Sequence, residues 1–446
     1  MILGTILFSM LVWKDFNRAV SDIFVSLLFK GSGLKMEEIV YKRKNTKKVK
    51  TQLPDDLDLA LLTHYHSTNQ PVYGDALNVV DKFENELAEP GVEYLYNAVQ
   101  RSMFQNTNVP FPGPEKGKEL FTFIDLFAGI GGFRMALQNL GGSCVFTSEW
   151  DKYSKQTYFA NYGEYPFGDI TKDSTKQYIP EKFDIICGGF PCQPFSIAGV
   201  SKKISLGRSH GFADEKQGNL FFHIADIIEK HRPKAFFLEN VKNLVSHDKK
   251  QTFKVIKDTL ESLDYSFDHK VIDGRHFVPQ HRERTLMVGF DKSVYGNDIK
   301  FDFSTVELPE EKQRLKTILQ SEVDTKYTLS DKLWNYLQEY AKKHKEKGNG
   351  FGFGLADPEG VSRTISARYY KDGAEILIAQ DGKNPRRLIP HEAAALQGYP
   401  IYPINTNDPK KSLVIPVSDN QAYRQFGNSV VMPLIQAVGE QILKKI

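Results

Sequence analysis

The chain has 446 residues, of which 41% are apolar and 25% charged, so it can bury a substantial core and is predicted to form a globular protein of two or three lobes. Its net charge of +3 is too small to predict a polyanionic partner by itself. Its three cysteines, Cys144, Cys187 and Cys192, form no CxxC pair and no even-numbered framework, so neither a zinc site nor a disulfide scaffold is indicated, and a reducing cytoplasm fits best.

The N-terminal region carries few structural signals. Its apolar opening, Met1 to Trp13, is too short to span a bilayer and lacks the features of a signal peptide. Translation starts either there or at Met36, where a charged segment begins. A basic cluster at residues 42–50, which is either solvated surface or a contact for DNA phosphates, and a Pro/Gly stretch at 110–114 follow. Residues 1–118 are therefore predicted to be an extension and linker.

After Leu120, short apolar runs alternate with amphipathic stretches. The runs predict buried parallel strands, at Phe121–Phe127, Ser143–Ser148, Phe183–Cys187, Ala235–Leu238 and Thr285–Phe290. Helices are predicted between them, at Phe133–Leu140, Gly218–His231 and Thr252–Leu263. This alternation indicates a doubly wound α/β sheet with its ligand site at the carboxyl ends of the strands.

The regular alternation ends near Asp291. Residues 304–419, rich in Gly, Lys and Tyr, predict a smaller, less regular lobe with a hinge. Residues 420–446 contain a Gly-Asn turn and an apolar helix that indicate a return to the first lobe. The predicted catalytic and cofactor-binding domain is thus 119–303, completed by 420–446.

A glycine turn after the first strand predicts a ligand site. Gly129, Gly131 and Gly132 allow close approach of a ligand to a helix N-terminus, although a merely tight turn would look the same. Glu149, about 20 residues further on, could accept ribose hydroxyls, and Trp150 offers a flat face for adenine. Asp169, where a third strand should end, could accept the adenine amino group. Without a GxGxxG motif, adenosine is indicated rather than a dinucleotide.

Cys192 is the predicted nucleophile. The turn Phe190-Pro-Cys-Gln-Pro194 fixes this thiol at the carboxyl end of a strand beside a basic loop, where a reactive thiolate is favoured. Cys144 and Cys187 lie inside apolar strands and are interpreted as small buried hydrophobic residues.

Two further groups of polar residues are expected in the same cleft. Glu239 ends another strand and could hydrogen-bond a base edge if burial raises its pKa, although taken alone an N-cap or a salt bridge is the simpler interpretation. Arg282 and Arg284 alternate at the start of a strand, project from the same side and suit a carbonyl or phosphate target, whereas His281 faces away.

Five ordered blocks resemble one known family, the DNA (cytosine-5)-methyltransferases, over residues 121–446. The blocks are Phe127-x-Gly129-x-Gly131, Pro191-Cys192, Glu239-Asn240-Val241, Gln280-x-Arg282-x-Arg284 and Gln425-x-Gly427-Asn428-Ser429. The resemblance implies S-adenosylmethionine as cofactor, addition of Cys192 to cytosine C6, a glutamic acid at Glu239 that acts on N3, and Arg284 and Arg282 as holders of the base and its backbone. It places these residues around the cofactor: Phe127, Gly129, Gly131, Glu149, Trp150, Asp169, Ile170, Pro191, Leu220, Asn428 and Ser429.

The implied substrate is double-stranded DNA from which the target cytosine is extruded. The segment 196–217 then predicts a closing lid that grips phosphates through Lys202, Lys203 and Arg208, with an ordinary surface loop as the alternative. The protein is expected to be a monomer without a metal, associated with the bacterial nucleoid in the cytoplasm.

Residues 348–354 and 367–376 resemble the recognition region of Dcm-type enzymes, which methylate the inner cytosine of CCWGG or CCNGG, in a restriction-modification system or as an orphan enzyme. Arg368 and Lys371 either read guanine or contact phosphates. Three rival functions remain open: a tRNA cytosine-5 methyltransferase, whose typical Cys-Phe-Thr block is missing here, a silent DNA-binding module, and a nicotinamide oxidoreductase.

Overall fold

The computed structural model describes residues 56–68, 70–79, 109–191, 220–348 and 352–446. A six-stranded mixed sheet forms its centre, in the order β2-β1-β3-β4-β6-β5. The strands are β1 (Phe121–Leu126), β2 (Gly142–Ser148), β3 (Ile185–Gly189), β4 (Ala235–Val241), β5 (Asp268–Asp273) and β6 (Glu283–Phe290). The four strands β1 to β4 are parallel, and they are buried on both faces as their apolar runs predict.

The parallel direction predicted for the fifth strand is wrong. It is β6, which runs antiparallel to β4, and β5 runs antiparallel to β6 at the edge of the sheet. An apolar run predicts burial but carries no information about direction, which depends on the connection. The sequence analysis missed β5 because this strand, Asp-His-Lys-Val-Ile-Asp, is largely polar and half-exposed.

Helices pack on both sides of the sheet. Two predicted helices are confirmed to within one residue, as Gly132–Asn139 and Gln251–Ser262, and the described part of the third is Leu220–His231. The helices are α1 (Asp56–Thr68), α2 (Gly132–Asn139), α3 (Lys152–Tyr162), α4 (Asp173–Lys176), α5 (Leu220–His231), α6 (Gln251–Ser262), α7 (Lys292–Tyr295), α8 (Asp331–Glu346), α9 (Pro390–Ala395), α10 (Asp419–Asn428) and α11 (Met432–Leu443). The doubly wound architecture is thereby confirmed.

The strand expected to end near Asp169 does not form. Phe167 alone pairs with the end of β2, through a single parallel bridge to Ser148. The Phe167 amide donates to the Thr147 carbonyl, and the Glu149 amide donates to the Phe167 carbonyl. The chain then turns at Asp169, whose carboxylate accepts from the Thr171 amide, and this turn ends the pairing.

The smaller lobe contains α8, α9 and a hairpin of β7 (Leu377–Gln380) and β8 (Lys383–Arg387). Its buried residues Ile365 and Leu388 belong to the same apolar cluster as Phe123 and Phe237 of the sheet. The last two helices return to the sheet side, and a Cβ on Gly439 of α11 would lie 3.1 Å from Leu137 of α2. The exact domain boundaries remain a prediction.

Residues 56–79 differ from the expected appendage, because they pack against β2 and the segment that follows α3. His64 and Tyr73 are completely buried there, in a cluster with Phe146 and Phe167. Among the described residues, no helix is long and apolar enough to cross a membrane. The same residues contain no cluster of three or more His, Cys, Asp or Glu side chains that could hold a metal ion.

Candidate active site

A cavity of about 790 Å³ opens at the carboxyl ends of β1 to β4. This is the edge at which doubly wound sheets bind their ligands. The cavity brings together thirteen residues that the sequence analysis assigned to the site: Phe127, Gly129, Glu149, Trp150, Asp169, Ile170, Pro191, Leu220, Glu239, Arg282, Arg284, Asn428 and Ser429.

The turn between β1 and α2 forms one wall of the cavity. Gly129 and Gly131 have φ angles of 56° and 83°, in the left-handed region that favours glycine. A Cβ on Gly131 would also lie 2.4 Å from the Tyr162 ring. Gly131 is not among the residues that line the cavity, and its contact with the cofactor stays a prediction; in the structure it serves the turn and its packing.

Glu149 holds this turn and the end of β2 together. Its carboxylate accepts the backbone amides of Gly129 at 2.7 Å, Trp150 at 2.9 Å and Asp151 at 2.8 Å. A carboxylate has about four acceptor positions, so one remains for a ligand. Burial raises the pKa of Glu149, and the three amides act in the opposite direction by stabilising the anion.

Aromatic and polar groups face the cavity next to Glu149. The Trp150 side chain is 79% exposed although it lines the cavity, so its flat face is available to a ligand. On the opposite side, the Ser429 hydroxyl hydrogen-bonds the Tyr399 hydroxyl at 2.8 Å. The pocket therefore combines one exposed ring, acidic acceptors and a set of main-chain turns.

Glu239 lies at the end of β4 and pairs with Arg284 at the start of β6. The Arg284 Nε lies 2.8 Å from a Glu239 carboxylate oxygen. Burial raises the pKa of Glu239, and Arg284 lowers it to a smaller extent. A Cβ on Gly189 would lie 3.0 Å from the same carboxylate, so the glycine at the end of β3 leaves room for it. The result is a buried, ion-paired carboxyl group whose pKa lies above its ordinary value.

Arg282 lines the cavity but directs its donors to the protein. It donates to the carbonyls of Ile365, at 3.0 Å, and Gly427, at 2.8 Å, and to the Ser429 carbonyl. These contacts connect β6 to the smaller lobe and to the turn after α10. In the structure these donors stabilise protein loops, and the role of Arg282 on the DNA backbone stays a prediction.

A family comparison adds the decisive observation. The model of the C-5 cytosine-specific DNA methylases matches residues 121–444, well over half of the chain. The chain belongs to this methylase family. It is accordingly a DNA (cytosine-5)-methyltransferase, as the five ordered blocks predicted.

Individual relatives agree with the assignment. The methylase is 45% identical over 392 residues to the DNA-cytosine methyltransferase of Escherichia coli (strain K12), across 76% of this chain and 81% of that protein. It is 48% identical over 337 residues to the type II methyltransferase M.SsoII of Shigella sonnei, across 75% and 82%. The Dnmt2 methyltransferase of S. pombe, 18% identical, shares the fold with a TM-score of 0.55 across 73% and 98%.

One residue of the methylase that the sequence analysis quoted only as part of a block has a clear structural role. The buried Asn240 side chain donates from Nδ2 to the Phe190 carbonyl at 2.8 Å and accepts the Val241 amide at Oδ1. Phe190 lies two residues before Cys192. Asn240 therefore attaches the main chain at Phe190, just after β3, to the strand that carries Glu239, a role that only the juxtaposition of β3 and β4 reveals.

Several predicted residues fall elsewhere. The nucleophile Cys192 and the lid residues Lys202, Lys203 and Arg208 lie outside the described residues. Arg368 and Lys371 are exposed on a turn and do not line the cavity. Cys144 and Cys187 are buried and form no disulfide, as their interpretation as small buried hydrophobic residues predicts, and burial raises the pKa of the Cys144 thiol to about 12.

Proposed function

We propose that this methylase transfers the methyl group of S-adenosylmethionine to C5 of a cytosine extruded from duplex DNA, with Cys192 as nucleophile. The observation that carries the proposal is the buried Glu239–Arg284 pair in the same cavity as Glu149 and Pro191. A protonatable carboxyl group next to a guanidinium, in the cavity that Pro191 also lines, suits the edge of a pyrimidine better than a nicotinamide ring or a merely bound duplex.

The cavity fits the proposed cofactor. A volume of about 790 Å³ lies within the range of pockets that enclose a ligand of this size and leaves room for a base. Trp150 would stack on the adenine, the remaining acceptor position of Glu149 would receive a ribose hydroxyl, and the second oxygen of Asp169 would receive the adenine amino group. The bound sulfonium supplies an electrophilic methyl group.

The residues around the target base would act in sequence. Cys192, as a thiolate, adds to C6 of the cytosine, while Glu239 donates a proton to N3 and so neutralises the negative charge that the addition brings into the ring. Arg284 keeps the carboxyl group oriented through its 2.8 Å contact and can donate to the carbonyl of the base. After methylation at C5, loss of the C5 proton re-forms the double bond and expels the thiolate.

The target base must leave the helix for this chemistry, because C5 and C6 are stacked inside duplex DNA. The lid residues Lys202, Lys203 and Arg208 would close over the extruded strand. Arg368 and Lys371 would contact the remaining bases or phosphates, at an inner cytosine of CCWGG or CCNGG. Relatives named as type II methyltransferases support a role in restriction-modification, with an orphan enzyme as the other possibility.

Transfer of labelled methyl groups tests the proposal. With labelled S-adenosylmethionine, we expect incorporation into duplex DNA and none into tRNA; label in tRNA alone would refute the DNA substrate, and no transfer would favour a binding module. Cys192→Ala should abolish both transfer and the covalent complex with a 5-fluorocytosine duplex. A trapped Cys192→Ala complex would show that another residue is the nucleophile. Bisulfite sequencing of DNA from expressing cells would read the recognition site.

A further inference from the structure

Helix α1 touches the chain segment that leads to one wall of the cavity. The Thr63 hydroxyl of α1 accepts the backbone amide of Tyr165 at 2.9 Å and donates to the Leu59 carbonyl at 2.8 Å. Asp56, at the start of the same helix, accepts from the Tyr165 hydroxyl at 3.1 Å. Helix α1 thus fixes the backbone at position 165, four residues before Asp169.

Aromatic rings extend this contact. The His64 ring centroid lies 4.8 Å from that of Phe167, and the Tyr73 ring stacks on Phe167 at 5.9 Å. Phe167 is also the residue that pairs with the end of β2, and Gly168, Asp169 and Ile170 follow it along the cavity wall. Because buried aromatic rings pack at close to crystal density, a displaced α1 would change the position of this wall.

A buried polar network carries the contact across to the glycine turn. Glu164 receives two hydrogen bonds of 2.8 Å from Arg134 of α2, and His64 lies 3.8 Å from the same carboxylate. The Arg134 guanidinium lies over the ring of Tyr162, whose hydroxyl donates to the Gly131 carbonyl at 2.8 Å. The network therefore connects α1 with both the Asp169 wall and the glycine turn that is bonded to Glu149.

We infer that residues 56–79 are a positioning element of the S-adenosylmethionine site, acting through Thr63, His64 and Tyr73 on the segment 164–170. These residues touch neither the cavity nor the reacting atoms. Their effect is on cofactor affinity, because they fix the wall proposed to receive the adenine and the turn that is bonded to Glu149, the residue proposed to receive the ribose. The inference rests on the proposed function only in taking S-adenosylmethionine as the ligand.

The decisive variant is Thr63→Val, which keeps the shape of the side chain and removes its hydroxyl. Loss of one buried hydrogen bond predicts a rise of about three- to tenfold in the Kd for S-adenosylmethionine, measured by calorimetry on the full chain. Thr63→Ser, which keeps the hydroxyl, should restore wild-type affinity. Leu77→Ala, at an exposed position in the same segment, should leave it unchanged.

Two further measurements separate positioning from general damage. At saturating cofactor, kcat and the KM for DNA should stay at wild-type values in Thr63→Val, whereas the KM for S-adenosylmethionine rises. Tyr73→Phe, which removes only the hydrogen bond to the Val145 carbonyl, provides a second test if Thr63→Val fails to fold. Wild-type affinity in folded Thr63→Val and Tyr73→Phe would refute the inference, whereas a wild-type chain that does not bind S-adenosylmethionine would refute the proposed function.

Discussion

Asn240 offers a direct test of how the nucleophile is positioned. Asn240→Ala removes the 2.8 Å hydrogen bond to the Phe190 carbonyl and leaves that carbonyl without its partner. An unsatisfied buried acceptor costs about 1–3 kcal/mol. The chain at Phe190 can recover that energy by moving toward water, and this movement would displace the segment that leads to the proposed nucleophile Cys192.

If the lost energy appears in the transition state, it corresponds to a fall of about 5- to 150-fold in the rate of methyl transfer. Single-turnover transfer to duplex DNA measures this rate without the contribution of product release. The rate of covalent trapping by a 5-fluorocytosine duplex should fall in parallel, because both steps need the thiolate at C6. The affinity for S-adenosylmethionine should change little.

Two variants control the experiment. Asn243→Ala alters an exposed asparagine three residues further on and should react at the wild-type rate. Asn240→Asp keeps the size and the acceptor but loses the donor to Phe190, so it should be as slow as Asn240→Ala. A rate within twofold of wild type for both Asn240 variants would show that the Pro-Cys turn holds its position without this side chain.

Three further outcomes are expected. Gly131→Ala should lower the free energy of unfolding by about 2–4 kcal/mol, because the residue has φ +83° and the new methyl group meets Tyr162. Gly129→Ala, whose methyl group would meet nothing within 4 Å, should lose only the backbone contribution of about 1–2 kcal/mol, and equal losses in denaturant titrations would contradict this steric account. Glu239→Gln should slow transfer by about 100-fold or more. Burial raises the pKa of Glu239, so the wild-type rate should fall at alkaline pH as this carboxyl group gives up its proton, and the variant should lose that fall; an unchanged pH–rate profile would remove Glu239 as the acid. Burial raises the pKa of Asp125 to about 8, so this residue favours the folded state most at low pH and loses that stabilisation as the pH rises from 3.8, its pKa in the unfolded chain, through 8. Asp125→Asn should therefore flatten the dependence of Tm on pH across this range, and parallel curves for variant and wild type would contradict the shift.

The sequence predicted those parts of the site that depend on strand ends and local turns. The glycine turn at Gly129, Glu149 at the end of β2 and Glu239 at the end of β4 each follow a buried apolar run, and parallel strands bring such ends to one edge. Buried parallel strands are long and apolar, so their existence was a strong local signal.

The remaining features depend on tertiary contacts that no local pattern encodes. Arg282 donates hydrogen bonds to three main-chain carbonyls from two distant segments, although its sequence block resembles one that holds DNA. Residues 56–79 are polar enough to be interpreted as an appendage, yet His64 and Tyr73 are completely buried against β2. Their burial is stabilised by partners about 100 residues further along the chain, which a periodicity analysis cannot detect.

The reversed direction of β6 determines where its first residues lie. In the observed register, Arg284 pairs with Val241, the last residue of β4, so the beginning of one strand meets the finish of its neighbour. Had β6 run the other way, Arg284 would have paired with Ala235 instead of Val241, and six residue steps at about 3.4 Å each would have placed it about 20 Å from the mouth of the pocket, at the far margin of the sheet. One inverted strand thus lets a group at a strand's amino end serve a centre otherwise built from carboxyl ends, and the acid–base partnership of Glu239 is a product of topology.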